Sequence, residues 1–360
     1  MQIVVSIIRW VVGVLFIFSG LVKANDPLGL SYKMQEFFEA WGWHGLHNYT
    51  LFASIAMNTL EVVIGLAIII GWQKKLASWL LLLLIAFFTF LTYYVLYSGK
   101  IKACGCFGDC IPLTPHQTFA KDIILLVLAI FLIINQKYFV TYFKPKIGLI
   151  VVLLNFVICL MLQFYVLKNL PFADCLPYKK GNNVLEQMQM PVGAISDSIV
   201  TISLYNTKGK KVEIIGDNFP DDFDSTYILD KREDKVIRKG NAEPKIKDFT
   251  LFSLQGNDTT TAIFEQDKYV LIIVNKIEAS LKTQLVDEAI NNFIAKGFPV
   301  FVVCSSPKII NVVNNKKLNF LIADATVLKT AARVNTTYFL MHKATIKNKL
   351  SYTQAHKLLN

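Results

Sequence analysis

Leu76–Cys110 reads LASWLLLLLIAFFTFLTYYVLYSGKIKACGCFGDC. Its first part, Leu76–Tyr97, carries no charged side chain over 22 residues. A helix needs about 20 such residues to cross ~30 Å of hydrocarbon. Lipid cannot hydrogen-bond the backbone, so helix is the economical form of such a run. Directly beyond it come two lysines and three cysteines within seven residues, Cys104, Cys106 and Cys110. The stretch predicts a membrane span that delivers a cysteine-rich loop to the membrane surface.

Working outward, four more runs reach spanning length: Ile3–Val22, Leu51–Trp72, Phe119–Val140 and Ile147–Leu167. They account for the 54% hydrophobic composition and the mean hydropathy of +0.44 over 360 residues. The first run has no basic segment before it and contains Arg9, which favours a retained span over a cleaved leader. The net charge of +11 does not indicate nucleic acid, because the lysines are scattered or flank apolar runs. The chain shows no phosphate-cradling loop and no hydrolytic triad.

The basic loops orient the bundle. Lys74 and Lys75 follow the second span, and Lys137, Lys144 and Lys146 follow the fourth. Under the positive-inside rule both connections are cytoplasmic. The N-terminus is then inside, and the loops at 23–50 and 98–118 lie outside with everything after residue 168. Lys100 and Lys102 oppose this and are outweighed. The expected location is a bacterial cytoplasmic (inner) membrane with a periplasmic C-terminal domain. The loop at 23–50 is aromatic, and Ser31–Ala40 has weak helical spacing, so either a short interfacial helix or a plain loop is open there.

After residue 168 the texture becomes Pro- and Gly-rich and then β-rich. Hairpins are expected over Thr201–Tyr205 with Lys211–Ile215, and over Phe249–Leu254 with Thr259–Phe264. Strands and helices then alternate: strand Tyr269–Asn275, helix Lys282–Lys296, strand Pro299–Cys304, helix Pro307–Lys316, strand Phe320–Ala323, helix Val327–Val334 and strand Tyr338–Met341. That order predicts an α/β sheet domain. The expected organisation is a four-helix membrane domain over 1–145, a fifth transmembrane helix over 146–168, a linker and small β-rich segment over 169–247, and a soluble α/β domain over 248–360.

Three cysteines in a glycine-flexed loop outside the cytosol suggest disulfide chemistry. Lysines at 100 and 102 favour thiolate, the nucleophile in disulfide exchange. A purely structural disulfide, zinc held by three thiolates with His116, and an iron–sulfur cluster compete with this reading. Cys175 lies at the same membrane face, and four cysteines allow three pairings. Cys159 and Cys304 read as core thiols. Arg9 and Glu61 are ionisable groups inside spans, costly in lipid unless paired. An Arg9–Glu61 ion pair with Asn58 one turn away is expected, as a polar clamp or as a carrier or proton site.

Taken together, these residues resemble the DoxX-like superfamily. Arg9, Gly13, Phe18-Ser19-Gly20 and Lys23 look like its first-helix pattern, and Glu61, Gly65 and Gly71 like its second. The Cys-Gly-Cys-Phe-Gly run looks like the MauE branch of redox-associated membrane proteins. The resemblance covers about the first 140 residues. It implies a four-helix core likened to DsbB and vitamin K epoxide reductase, with Cys104 and Cys106 as redox pair and Cys110 as an additional or resolving thiol. From about Asp248 the chain resembles the TlpA-like thioredoxin fold. It departs at the active-site position, where Asn275-Lys276-Ile277-Glu278-Ala279-Ser280 lacks Cys-x-x-Cys. It departs again where Asn335-Thr336-Thr337 replaces the cis-proline.

The expected function is membrane thiol–disulfide redox acting on exported or periplasmic proteins, with Cys104, Cys106 and Cys110 as the reactive thiols. Arg9, Asn58 and Glu61 are the candidate cofactor-binding residues, and a membrane quinone is the candidate electron acceptor. The other expectation is a non-catalytic subunit or adaptor of a cell-envelope complex, holding a structural loop disulfide.

Overall fold

The computed structural model describes residues 1–101, 104–191, 193–194, 198–207, 210–216, 218–220, 223–238, 244–276, 287–309 and 318–359. Among the described residues, five helices are long and apolar enough to cross a membrane: α1 (Gln2–Ala24), α3 (Thr50–Ile70), α4 (Lys74–Ser98), α5 (Pro115–Ile134) and α6 (Pro145–Asn169). Between α1 and α3 lies α2 (Pro27–Ala40), capped by the Asp26 side chain on Gly29 N–H. The aromatic loop thus holds a helix longer than the weak periodicity suggested, started by Asp26 and Pro27.

α1 and α3 run antiparallel at backbone contact. A Cβ on Gly13 would lie 2.8 Å from the Gly65 carbonyl oxygen, and one on Gly65 would lie 2.7 Å from that of Gly13. Small residues permit such an approach between membrane helices. α4 packs on α5, and the four-helix core closes over Val12, Phe16, Ile64, Ile68, Leu81 and Leu125. The fifth helix, α6, lies against α3, where the Gln163 amide donates to Thr59 Oγ1 at 2.9 Å.

The fourth span is shorter than the expected Phe119–Val140. It starts earlier because Thr114 and Gln117 form a capping box ahead of Pro115. It stops at Ile134, where Asn135 Nδ2 donates to the Phe131 carbonyl at 2.9 Å and a 3₁₀ turn over Gln136–Tyr138 follows. At that end of the bundle Tyr142 N–H also reaches the Ile70 carbonyl, 3.1 Å away. The 135–146 connection therefore sits beside the α3–α4 turn, and residues 23–50, 98–101, 104–118 and 169–181 lie at the other end.

Asn182–Phe249 forms a separate compact unit. It holds the short α7 (Val184–Met188) and an antiparallel sheet of order β2-β1-β3, from β1 (Ser198–Thr207), β2 (Lys210–Ile215) and β3 (Ile228–Arg238). The expected first hairpin is β1–β2, with Ile202 opposite Ile215. β3 carries charges at most positions and offers no apolar alternation, so the sequence did not announce it.

Met1–Gly181 and Thr250–Asn360 form the larger unit. Its C-terminal part is a five-stranded sheet, order β6-β5-β4-β7-β8. The strands are β4 (Tyr269–Val274), β5 (Val300–Cys304), β6 (Asn319–Ile322), β7 (Thr336–His342) and β8 (Thr345–Ser351). β4, β5 and β6 are parallel, and β7 and β8 add antiparallel. YVLIIV and VFVVC are buried at every position, as strands covered on both faces must be. Among the described residues this part also holds the α-helices α8 (Thr260–Phe264), α9 (Asp287–Ala295) and α10 (Ala325–Ala331). The expected second hairpin is absent. Phe252 makes single bridges to Asp258 and Ile322, and Thr260 starts α8. Asp258 accepts from Thr260 N–H at 2.8 Å and turns the chain into that helix. The first third of the expected Lys282–Lys296 helix, and most of the Pro307–Lys316 helix, lie outside the described residues.

Candidate functional site

The cysteine loop is built by its glycines and its cover. Gly105 sits between Cys104 and Cys106 at φ +75°, a conformation strained for any other residue. A Cβ there would also fall 3.2 Å from Lys33 Cγ on α2. Both cysteines are buried, 7% and 6% exposed, with their sulfurs 3.1 Å apart. Phe37 from α2 and Phe88, Leu91 and Val95 from α4 pack over them.

The two thiols are unequal. A hydrogen bond from Cys104 holds Cys106 below the ordinary thiol range, against burial and Asp122 and with help from Lys121 and Lys23. The same bond, then burial, raises Cys104. Cys106 is the thiolate-favouring sulfur of the pair.

Cys110 is not a third free thiol. It is disulfide-bonded to Cys175, with Cα atoms 4.8 Å apart, which corrects its expected role as a resolving thiol. The bond joins the loop to the segment leaving the fifth span. Asn25 supports the same junction, accepting from Phe172 N–H at 2.9 Å and donating to the Ala173 carbonyl at 2.9 Å.

The expected Arg9–Glu61 pair does not form. Arg9 donates to the carbonyls of Ile68 (3.0 Å), Ile69 (2.8 Å) and Val140 (3.0 Å), capping the end of α3 and tying the 135–146 connection to it. Helix register is the reason. Gly13 faces Gly65, so Arg9 lies one turn further, near residue 69. That is about 12 Å along the axis from Glu61, at 1.5 Å per residue. Asn58 faces α6 instead and donates to Gln163 Oε1 at 3.1 Å. Arg9, Asn58 and Glu61 therefore serve three different places.

Glu61 pairs with Lys23, and both are almost fully buried. The Lys23 ammonium also lies 4.5 Å over the Phe88 ring. Ser19 Oγ lies 3.1 Å from Glu61 Oε2 and 3.0 Å from the Cys106 carbonyl oxygen. A second pair, Lys121–Asp122 at 2.6 Å, stands on α5, and Asp122 accepts from Thr92 at 3.1 Å. Both pairs and Cys106 line one cavity of about 30 Å³. Lys121 and Asp122 were legible as ionisable residues inside the fourth apolar run, the signal that singled out Arg9 and Glu61. Lys23 stood in the resemblance pattern, but its partner depends on register.

The α/β part docks on this end of the bundle by charge. Arg333, at the end of α10, donates to Asp26 at 2.7 Å and to Asp109 at 2.8 Å. Burial works against its charge, and these two carboxylates more than offset that, raising its pKa. Lys349 on β8 reaches Asp174, beside Cys175, at 2.7 Å. Nothing in the sequence marked Arg333, since its partners lie more than 200 residues away.

After β4, at the position the sequence resemblance assigned to a reactive site, the described groups are backbone ties. Asn275 Nδ2 donates to the Ala332 carbonyl at 3.0 Å, and Lys276 N–H to Asn335 Oδ1 at 2.7 Å. Positions 277–280 lie outside the described residues. Cys304 is buried in β5, with burial pushing its pKa up to about 11. Cys159 is buried against Ala24 and Val62. Among the described residues, no group of three His, Cys, Asp or Glu side chains is placed to hold a metal.

Five apolar helices, joined to an α/β region and carrying a buried thiol pair at one end, define a multi-pass membrane protein. Residues 1–135 match the family model described as methylamine utilisation protein MauE, so the bundle as far as the end of α5 is similar to that family. The chain is also 32% identical over 114 residues to Protein TlpB of Flavobacterium psychrophilum, which covers 31% of this chain and 27% of the relative. The chain thus spans about a quarter of that protein's length. No solved structure matches.

Proposed function

We propose that the protein is a membrane thiol–disulfide oxidoreductase in which Cys104 and Cys106 cycle between dithiol and disulfide against the thiols of exported proteins. The observation that carries this is the unequal sulfur pair, 3.1 Å apart on a glycine hinge, with two lysines favouring the Cys106 thiolate. A pair that close needs only a small backbone adjustment to bond. In the forward step a client thiolate attacks one sulfur of the Cys104–Cys106 disulfide, and the other leaves. The second client thiol then releases the pair, so two electrons and two protons pass from client to protein. The similarity of the bundle to the MauE family supports a membrane redox or accessory role. The proposed orientation puts the cysteine end outside the cytosol, supported by Lys74, Lys75, Lys137, Lys144 and Lys146 flanking the opposite end. The proposed location is a bacterial cytoplasmic membrane.

A membrane quinone does not fit the cavity beside Cys106. At about 30 Å³ it admits one or two waters. Ligand pockets run to at least ~300 Å³. The proposed oxidant that returns the pair to the disulfide, a membrane quinone that takes up the two electrons and two protons, therefore acts from outside this cavity.

The test is thiol trapping in intact membranes, resolved by mass spectrometry of the 104–106 peptide. The pair is expected to shift between oxidised and reduced forms as the growth medium is made oxidising or reducing. A pair fixed in one state under both conditions would remove the catalytic reading. A second reading, a non-catalytic adaptor, is favoured by one observation: Asn275 and Lys276 serve as backbone ties where a thioredoxin carries its reactive cysteine. A stoichiometric envelope complex that survives Cys106→Ser unchanged would select it.

A further inference from the structure

Ser19 has one hydroxyl hydrogen and two acceptors. Its oxygen lies 3.1 Å from Glu61 Oε2 and 3.0 Å from the Cys106 carbonyl oxygen. With Glu61 ionised, the two acceptors compete for that hydrogen. With Glu61 protonated, the carboxyl donates to Ser19 and Ser19 donates to the Cys106 carbonyl, and every group is satisfied. The hydrogen-bond chain has two forms, and one proton on Glu61 separates them.

Charge balance says when that proton arrives. Lys23 with Glu61 and Lys121 with Asp122 make the cavity wall neutral in sum while the cysteines form a disulfide. Reduction that leaves Cys106 as a thiolate would add a negative charge at a buried site, where an unbalanced charge is expensive. The charged and titratable groups facing Glu61 are few. Among the described residues, Lys23 comes from α1, Lys121 and Asp122 from α5, Cys159 from α6, and Cys106 from the loop. From α4 come only uncharged side chains, Ile85 and Phe88, at the cavity wall. Lys23 is the cation paired directly with Glu61, Lys121 acts on it without contact, and both favour the Cys106 thiolate.

We propose that Glu61 takes up a proton when the Cys104–Cys106 disulfide is reduced, releasing the Lys23 ammonium to balance the Cys106 thiolate, with Ser19 linking the carboxyl to the Cys106 backbone. The step balances. A protein dithiol gives up two electrons and two protons and becomes a disulfide. The Cys104–Cys106 bond breaks, one proton stays on Cys104, and the other is held by Glu61. Glu61 is thus a positioning and proton-holding residue for the pair. This rests on Cys104 and Cys106 being a redox pair.

The experiment equilibrates the full chain, in lipid nanodiscs, with mixtures of reduced and oxidised dithiothreitol from pH 6 to pH 8. The oxidation state of the 104–106 peptide is read after acid trapping. Dithiothreitol releases two protons on oxidation in this range. The wild-type equilibrium constant is therefore expected to stay flat with pH, because two protons are taken up. In Glu61→Gln only one is taken up, so the constant for reduction is expected to rise tenfold per pH unit. The double variant Lys23→Met/Glu61→Gln leaves no unpaired buried charge and guards against misfolding. It is expected to show the same tenfold slope wherever Cys106 remains a thiolate, as reported by its alkylation rate. A wild-type constant that itself rises tenfold per unit, or variants that stay flat with Cys106 still a thiolate, would overturn the proposal. A wild-type pair that never changes state in either dithiothreitol form would instead bring down the redox reading beneath it.

Discussion

At the scale of residues, the inequality of the two thiols has a measurable consequence. Cys106 is acidified first by the Cys104 hydrogen bond, so Cys104→Ala is expected to shift its alkylation profile to higher pH. Iodoacetamide labelling of the 106 peptide against pH would show this, and an unmoved profile would assign the acidity to the lysines. The sign follows from the donor: its loss destabilises the thiolate, so more alkaline solution is needed to form it. Arg9 makes a different kind of contribution. It satisfies three carbonyls at the bundle end opposite the cysteines. Hydrogen bonds to charged groups are worth about 1.5–3 kcal/mol net each, and Met removes the cost of burying the charge, so Arg9→Met is expected to cost roughly 2–4 kcal/mol. Equilibrium unfolding in mixed micelles measures that, with redox behaviour of the Cys pair unchanged.

Among elements, the α1–α3 contact determines who meets whom. Gly13 and Gly65 bring the two backbones together, and that register sends Arg9 to the end of α3 and leaves Glu61 to Lys23. Gly65→Ala places a methyl 2.7 Å from the Gly13 carbonyl oxygen, which must move. Overpacking of this kind costs about 1–3 kcal/mol. Because the register also positions Ser19 and Lys23, the same variant is expected to alter Cys106 alkylation, a combined effect that Arg9→Met lacks. Glu61 and the glycines were each legible in the sequence. Their pairing was not, because an ionisable residue in a span signals that a partner exists and says nothing about which neighbour supplies it.

For the whole molecule, the α/β part is joined to the cysteine end through Arg333, Lys349 and the disulfide-linked segment. Arg333 is 6% exposed, whereas Asp109 is 46% exposed, so solvent screens the second bond. Arg333→Gln is expected to weaken docking by about 1–3 kcal/mol, after discounting the cost of breaking a fully buried pair. Limited proteolysis of membranes should then release the α/β part faster, and added salt should have less effect than in wild type. An unchanged cleavage rate would mean that the disulfide and chain connectivity hold the arrangement alone. Cys175→Ser tests that limb: opening a 65-residue loop removes up to about 4 kcal/mol in the chain-entropy account.

The sequence by itself determined the five spans, the cysteine loop at their end, and the α/β alternation of the C-terminal part. These follow from run length, periodicity and composition, which are local quantities. It also placed Cys159 and Cys304 among buried apolar neighbours. Only the tertiary structure decided that Cys110 bonds Cys175, that Lys23 rather than Arg9 meets Glu61, and that Arg333 reaches the cysteine loop. Each of those joins residues from separate elements, and helix register and domain docking select the partner. A chain of side chains written in order does not carry that choice, because several partners satisfy the same charge or thiol equally well until packing brings one of them within bonding distance.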